Sequence, residues 1–450
     1  MFELKNLLRL LILSFLFALA SVKTAWTDDR EAKLRAFGHD RLVDAVLLYD
    51  QHFRVAETGQ YLDAINLDGR QHTPLSSTAS TGMGLISLAV GDALGVIDDA
   101  EEKAEITLSH LLGYAETEGF FVDRSKSGWF RHWFDVKTGK PPEWNGEKFS
   151  TIDTAILGAG AAILLSYLTD KAEKSGQPLS HAAHLAAELV LTVNWTTAIR
   201  NPRRGSIHLV FYGREERPTK RVATIPFDEY AILPCLAASH ERLTGVPGKA
   251  TKAWKRRFGS TEDLPMSTYE NFTLLGKPKG SIPSHFTHQF AFYLCGAYAA
   301  DPAFLDELEE LMLADKSSFS QSGGPQELWG LGAGSELVFG DSGFALYQRY
   351  AVSRLEKNEQ GTASPAIMAG FLAVDEARGK TDILSDLESL WSSGRCRYAL
   401  AGLGFMWRCA PQAPKQLVTR VEGVDFSTWM LGLAAAHPKL GLAFFQRHAF

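Results

Sequence analysis

Four cysteines in 450 residues are too few for a disulfide-dense scaffold, and none stands in a C-x-x-C pair. That excludes a zinc ribbon and a thioredoxin-like motif. H-E-x-x-H and the EF-hand loop are also missing, so no metal and no cofactor is expected. "GLGAGSE" (330–336) is Gly-rich but follows no predicted strand, which removes the phosphate-loop reading. The chain has no basic surplus. Its 46 Lys and Arg face 52 Asp and Glu, a net charge of −6, which argues against nucleic acid as a partner. No Pro/Gly/Ser-rich linker and no low-complexity segment divides the chain, so 28–450 reads as a single domain. Past the N-terminus the apolar runs are broken by Gly and polar residues, and none is expected to span a bilayer.

The first residues differ. Lys5 and Arg9 precede the apolar run "LLILSFLFALASV", and Ala18-Leu19-Ala20 has the form of a cleavage site. This pattern predicts a signal peptide over 1–20 and a periplasmic or secreted protein, with an uncleaved anchor as the alternative. A chain of this size needs no covalent staples, so Cys235, Cys295, Cys396 and Cys409 are read as buried free thiols. Export would permit a bridge, with Cys396 and Cys409 closest in sequence. A monomer is the default expectation.

What the chain has is a recurring helical design. Six stretches join a polar or Gly-containing cluster to an apolar run rich in Ala, Gly and Leu. They are "STASTGMGLISLAVGDALGV", "FSTIDTAILGAGAAILLSYL", "PFDEYAILPCLAAS", "SHFTHQFAFYLCGAYAA", "GTASPAIMAGFLAV" and "GVDFSTWMLGLAAA". Their markers Thr81, Asp153, Glu229, His288, Ser364 and Asp425 lie about 60 to 76 residues apart. A helix apolar on all faces must be buried on all faces. Between them "DDAEEKAEITLSHLLGYAE", "SHAAHLAAELVLTV", "DPAFLDELEELMLA" and "TDILSDLESLWSS" show one apolar face each. Six buried helices alternating with surface helices predict an all-α fold, an (α/α)6 barrel or toroid. Strand signals are confined to "SIHLVFYG" (206–213) and a partner at 221–225, a small β-hairpin insertion.

In that topology the inner helices all run the same way and their N-termini meet at one end. The polar clusters gather there: Asp135, Glu143, Glu147, Asp153, Asp228, Glu229, Glu327 and Asp425, with His132, His285 and His288. Trp129, Trp133, Trp144 and Trp329 join them. Aromatic faces beside carboxylates suit a sugar site, where one carboxyl group acts as general acid and another as base or nucleophile. Each residue also has a purely structural reading. Ser150 and Asp153 form a capping box. Asp228 and Glu229 are first-turn acids favoured by the helix dipole. Asp425 is a cap, His288 a core histidine, and the tryptophans are loop packing. The basic segment 200–222 reads as a solvated hairpin, or as a contact for an anionic substituent on the ligand.

The blocks "STASTGMGL", "GFFVDRSKSGWFRHWFDVKTG", "FSTIDTAILGAG", "FDEYAIL", "HFTHQFAF", "ELWGLGAG", "GTASPAIMAGFLA" and "GVDFSTWMLGL" resemble, in this order, the glucoamylase-like glycoside hydrolases typified by bacterial endo-β-1,2-glucanases. The resemblance runs from about Ser77 to His448. It implies an (α/α)6 barrel that hydrolyses β-1,2-linked glucan with inversion, so an oligo- or polysaccharide is the expected partner. By position it implies Glu229 as general acid and Asp425 as general base. It also implies Asp153, Asp135, Trp133, His288, Gln289, Glu327, Trp329 and Asp228 as cleft residues. This chain departs from the pattern in Phe426-Ser427-Thr428 after Asp425 and in Lys148 before Ser150.

Overall fold

The computed structural model describes residues 29–450 apart from 116, 219–222, 246–247, 278–279, 322, 324, 341–343 and 411–415. The expected signal peptide at 1–20 lies outside the described residues, as does part of the expected strand at 221–225. A first helix, α1, covers 29–48. The six apolar stretches form α2 (Thr78–Leu94), α4 (Thr151–Ser175), α6 (Ile232–Leu243), α8 (Phe286–Leu294), α11 (Pro365–Gly370) and α14 (Gly423–Ala435). The amphipathic stretches form α3 (Ala100–Leu112), α5 (His181–Thr192), α10 (Pro302–Gln321) and α13 (Asp382–Ser392). Four further helices complete the set: α7 (Lys249–Arg257), α9 (Gly296–Ala299), α12 (Leu372–Arg378) and α15 (Gly441–His448).

The apolar helices touch one another in ring order: α2 with α4, α4 with α6, α6 with α8, α8 with α11, α11 with α14, and α14 with α2. α3 packs on α2 and α5, and α10 on α8 and α12. Two of the ring contacts are backbone to backbone. A Cβ built on Gly160 would stand 2.1 Å from the Gly82 carbonyl oxygen, and one on Gly432 only 1.8 Å from that of Ala369. No side chain fits at either place, so glycine sets how closely α2 approaches α4 and α14 approaches α11. α4 is, by length and apolarity alone, long enough to cross a membrane, contrary to the sequence expectation. Most of its apolar window is buried inside the protein, where it serves as a core helix.

The strands exceed the expected hairpin. Ser206–His208 does pair with Ala223–Thr224. Val210–Tyr212, however, pairs with Lys148–Ser150 instead. The longest ladder, Ala333–Phe339 with Ala345–Val352, occupies a region read as loop. Three short strands lead directly into ring helices: Leu75–Ser77 into α2, Lys148–Ser150 into α4, and Arg420–Glu422 into α14. Their partners are Trp133–Asp135, Val210–Tyr212 and Ala64–Asn66. Each ladder pins the start of a ring helix. Ser77 and Ser150 then cap α2 and α4, accepting from the backbone N–H of Ser80 at 3.0 Å and of Asp153 at 3.3 Å. The free-thiol reading is corrected: Cys235 bridges Cys295 across α6 and the end of α8, and Cys396 bridges Cys409. Paired sulfurs sit close in space although 60 residues separate the first pair, a proximity only folding creates.

Gly160→Ala and Gly432→Ala should each lower stability by roughly 2–3 kcal/mol, because a methyl forced against a carbonyl must push two helices apart. Denaturant midpoints measure this. Midpoints equal to that of the unmodified protein would mean that the helices yield freely.

Candidate active site

A cavity of about 670 Å³ opens where α2, α4 and α14 begin and where the turn Glu229–Ala231 leads into α6. Five acidic side chains line it: Asp63, Asp153, Glu229, Glu422 and Asp425. Its aromatic lining comprises Trp133, Trp144, Tyr230, Phe286, Phe290 and Tyr350. Trp133 lies against Trp144 at 4.8 Å between ring centroids and stacks on His132. Trp144 is 63% exposed, so its ring is offered to whatever enters.

Glu229 heads a short turn whose first N–H is capped by Asp228, Oδ1 accepting at 3.0 Å. Asp228 itself does not line the cavity. It accepts from the Thr224 hydroxyl at 3.1 Å and pairs with the Lys277 ammonium at 2.6 Å. Burial pushes the Glu229 carboxyl up to about 8; the charges of Asp228 and Asp153 add to this, Lys277 opposes it, and Asp425 adds a smaller push. Asp425, in the first turn of α14, is also pushed up to about 8, by burial and then by Glu422. Two groups oppose that rise: the buried Arg408 guanidinium and the Tyr350 hydroxyl. The hydroxyl lies 3.4 Å from Oδ1 and 3.3 Å from Oδ2.

Tyr350 stands opposite Ser335 in the long hairpin. Ser335 donates to Glu422 from its N–H at 2.9 Å and from its hydroxyl at 2.6 Å. One rung of the ladder therefore holds both Glu422 and Asp425. In the next rung Glu336 pairs with Arg349 at 2.9 Å. A slip of one residue would turn Tyr350 to the other face.

Asp153 does both jobs considered for it. Its N–H completes the Ser150 cap, and its carboxylate, which the Ser150 hydroxyl and His132 Nδ1 (3.3 Å) approach, lines the cavity. Of the ten expected site residues, Glu229, Asp425, Asp153 and Trp133 share the cavity, with Asp228 directly behind Glu229. The other five lie outside its lining. Asp135 accepts the N–H groups of Lys137 and Thr138 and closes a turn. His288 is fully buried with Nε2 3.0 Å from the Leu275 carbonyl, and burial pushes its pKa down to about 3. Gln289 donates to the Ile367 carbonyl at 2.9 Å. Glu327 pairs with Arg395 at 3.5 Å, and the buried Trp329 donates to Asp386 at 3.4 Å. Sequence reasoning missed Tyr350, Glu422, Asp63, Tyr230 and Arg420. Glu422 carried a usable signal, three positions before Asp425; Tyr350 carried none, because its strand was unread.

No family model and no curated protein sequence matches the chain. Its fold does match solved structures. A putative glucoamylase from Bacteroides caccae superposes with a TM-score of 0.69 at 16% identity, covering 92% of this chain and 96% of that one. The endo-β-1,2-glucanase from Chitinophaga pinensis, solved with sophorotriose and glucose, gives 0.68 at 14% identity, covering 92% and 94%. The endo-β-1,2-glucanase from Talaromyces funiculosus, solved with sophorose, gives 0.61 at 12%, covering 91% and 85%. The chain has the fold of these proteins, the same group that its motifs resemble.

Both raised carboxyls are protonated in the fold and ionised in the unfolded chain between about pH 4 and 8. The folded state binds more protons there, so stability falls as pH rises through that window, and the loss is complete above about 8. Glu229→Gln and Asp425→Asn remove the titrating group. Each should raise the thermal midpoint at pH 8 by a few degrees over the unmodified protein, with the gain shrinking toward pH 4. A gain independent of pH would contradict the burial argument.

Proposed function

We propose that this chain is a glycoside hydrolase acting on a β-linked glucan, with β-1,2-glucan the first substrate to test. The observation that carries the reading is that Glu229 and Asp425 line one aromatic-walled cavity with different immediate partners. We also read the ring of six apolar helices as the inner layer of an (α/α)6 barrel, which the ring-order contacts support. We further propose that the chain is periplasmic or secreted, which two disulfides and the signal-peptide pattern of the first 20 residues support. The chain is read as one domain over 28–450, acting as a monomer.

The partners divide the chemistry. Glu229 is pushed toward its neutral form by burial and by Asp228 and Asp153, and its one opposing cation, Lys277, is held by Asp228. It is the group able to protonate a leaving glycosidic oxygen. Asp425 is also pushed up to about 8, but a hydroxyl donor and a guanidinium beside it favour its carboxylate; it acts as proton acceptor in its ionised fraction, which grows as pH rises toward 8. In an inverting reaction water attacks the anomeric carbon as the glycosidic bond breaks. Asp425 takes the proton from that water, directly or through a relay, and Glu229 gives its own to the departing oxygen. Solvent then restores both groups. The aromatic walls would stack on sugar faces and hold the chain across the pair. A transglycosylase or lyase on the same cavity, and a binding protein without turnover, are the competing readings.

Glu229→Gln and Asp425→Asn should each lower kcat by ~10²–10⁴-fold on linear β-1,2-glucan. NMR of the fresh products should show the inverted anomer; retained or unsaturated products would sink this mechanism, and unchanged turnover in both variants would remove the pair. Tyr350→Phe deprives the Asp425 carboxylate of a donor, which raises its pKa further. The acid limb of the kcat/KM profile should therefore move to higher pH, by more than the alkaline limb of the coupled pair does; an unmoved acid limb would remove Tyr350 from the Asp425 site.

A further inference from the structure

Net charge averages over a surface, and this surface is uneven. α7 has the sequence "KATKAWKRR", and all five of its Lys and Arg are exposed. Three more exposed cations, Arg200, Arg203 and Arg204, lie on the neighbouring turn 199–205. The two segments are in contact: Arg257 Nε donates to the Arg203 carbonyl at 3.0 Å, and Arg204 and Arg257 line one cleft. Lys249 and Arg200 both bear on His208. Among the described residues none of these eight cations is paired with a carboxylate. Eight unpaired cations set against Asp263, the carboxylate in the adjoining clefts, make this patch positive on a chain whose net charge is −6.

The helix dipole accounts for only part of this. Cations in the last turn of α7 are favoured by it, but Lys249 and Lys252 lie in the first turns, where it opposes them. Their end of the helix is held by the Glu241 carboxylate, which accepts the N–H groups of Gly248, Ala250 and Thr251. Two exposed aliphatic side chains belong to the same stretches: Ile225, 44% exposed, lines a cleft with Arg204 and Arg257, and Leu243, 75% exposed, follows Arg242, which shares the other cleft with Lys255. A second cleft of about 420 Å³ runs along α7, with Arg242, Lys255, Thr251 and Ser260 around Trp254. Asp263 is the one carboxylate lining either cleft.

Clustered cations bordered by aliphatic side chains and an indole fit the head-group layer of an anionic bilayer. We propose that the α7 face docks this protein on an anionic phospholipid surface, with the cations on the head groups and Leu243 and Ile225 at the acyl boundary. A nucleic acid would use the charge but not the aliphatic pair, and the Trp254 ring is engaged by Phe258 and Tyr298 rather than free to stack on bases.

The test is flotation of the full chain with vesicles of phosphatidylglycerol mixed with phosphatidylcholine, against pure phosphatidylcholine. The N-terminal segment carries Lys5 and Arg9 and itself favours anionic lipid, so the readout is the difference between the unmodified protein and its surface variants on the same anionic vesicles. The unmodified protein should float with the anionic vesicles and be released by high salt. Lys249→Ala/Lys252→Ala/Arg256→Ala should weaken partitioning on the order of 100-fold, about fivefold per charge. Arg200→Gln/Arg203→Gln, on the other segment, should weaken it independently, and Leu243→Ser to a smaller extent. Equal flotation with both lipids, no loss in either charge variant, or tighter capture by duplex DNA than by the anionic vesicles would overturn the proposal.

Discussion

The backbone of α2 lies directly on the backbone of α4 at Gly82 and Gly160, and the mouth of the ring is positioned from that contact. Packed this closely, the two helices have little room to slide or spread. The same holds where Gly432 of α14 meets Ala369 of α11. Short strands then fix the helix starts from outside, and serine caps satisfy the first N–H groups of α2 and α4. Side chains in these first turns inherit that rigidity. Asp153, Glu229 and Asp425 are thus carried by scaffold rather than by mobile loops.

Rigidity has an electrostatic consequence. Carboxyl groups held together in a cavity cannot relax apart when ionised, so burial and like charge raise their proton affinity. The fold then separates two groups of similar chemistry by what it places beside them. Arg408 and Tyr350 stand by Asp425, while the cation nearest Glu229 is engaged by Asp228. The Ser335–Tyr350 rung joins Glu422 and Asp425 to one piece of sheet, so the geometry of the pair depends on the register of a hairpin.

The surface follows the same logic at longer range. A mildly acidic composition conceals a face where eight cations meet from two segments more than forty residues apart. Summed charge carries no information about adjacency, which is why composition argued only against nucleic acid and gave no sign of eight cations gathered on one face.

The six apolar runs and the four amphipathic ones were legible because each repeats a local pattern, and burial must match apolarity. The Ser150 cap with Asp153 was legible for the same reason: its partners lie three residues apart. Position alone also named Glu229 and Asp425 through the family motifs. The sequence could not show that His288 and Gln289 are buried against carbonyls away from the cavity, because motif neighbours on one helix point in different directions, nor that Trp329, on a loop, turns to Asp386. Nor could it show the hairpin that brings Tyr350 to Asp425 across 75 residues, or the Cys235–Cys295 bridge. Local periodicity determined which segments are helices and which faces are buried. Which side chains meet was decided only by tertiary packing, since distance in space between remote residues is set by the whole ring and not by any stretch of it.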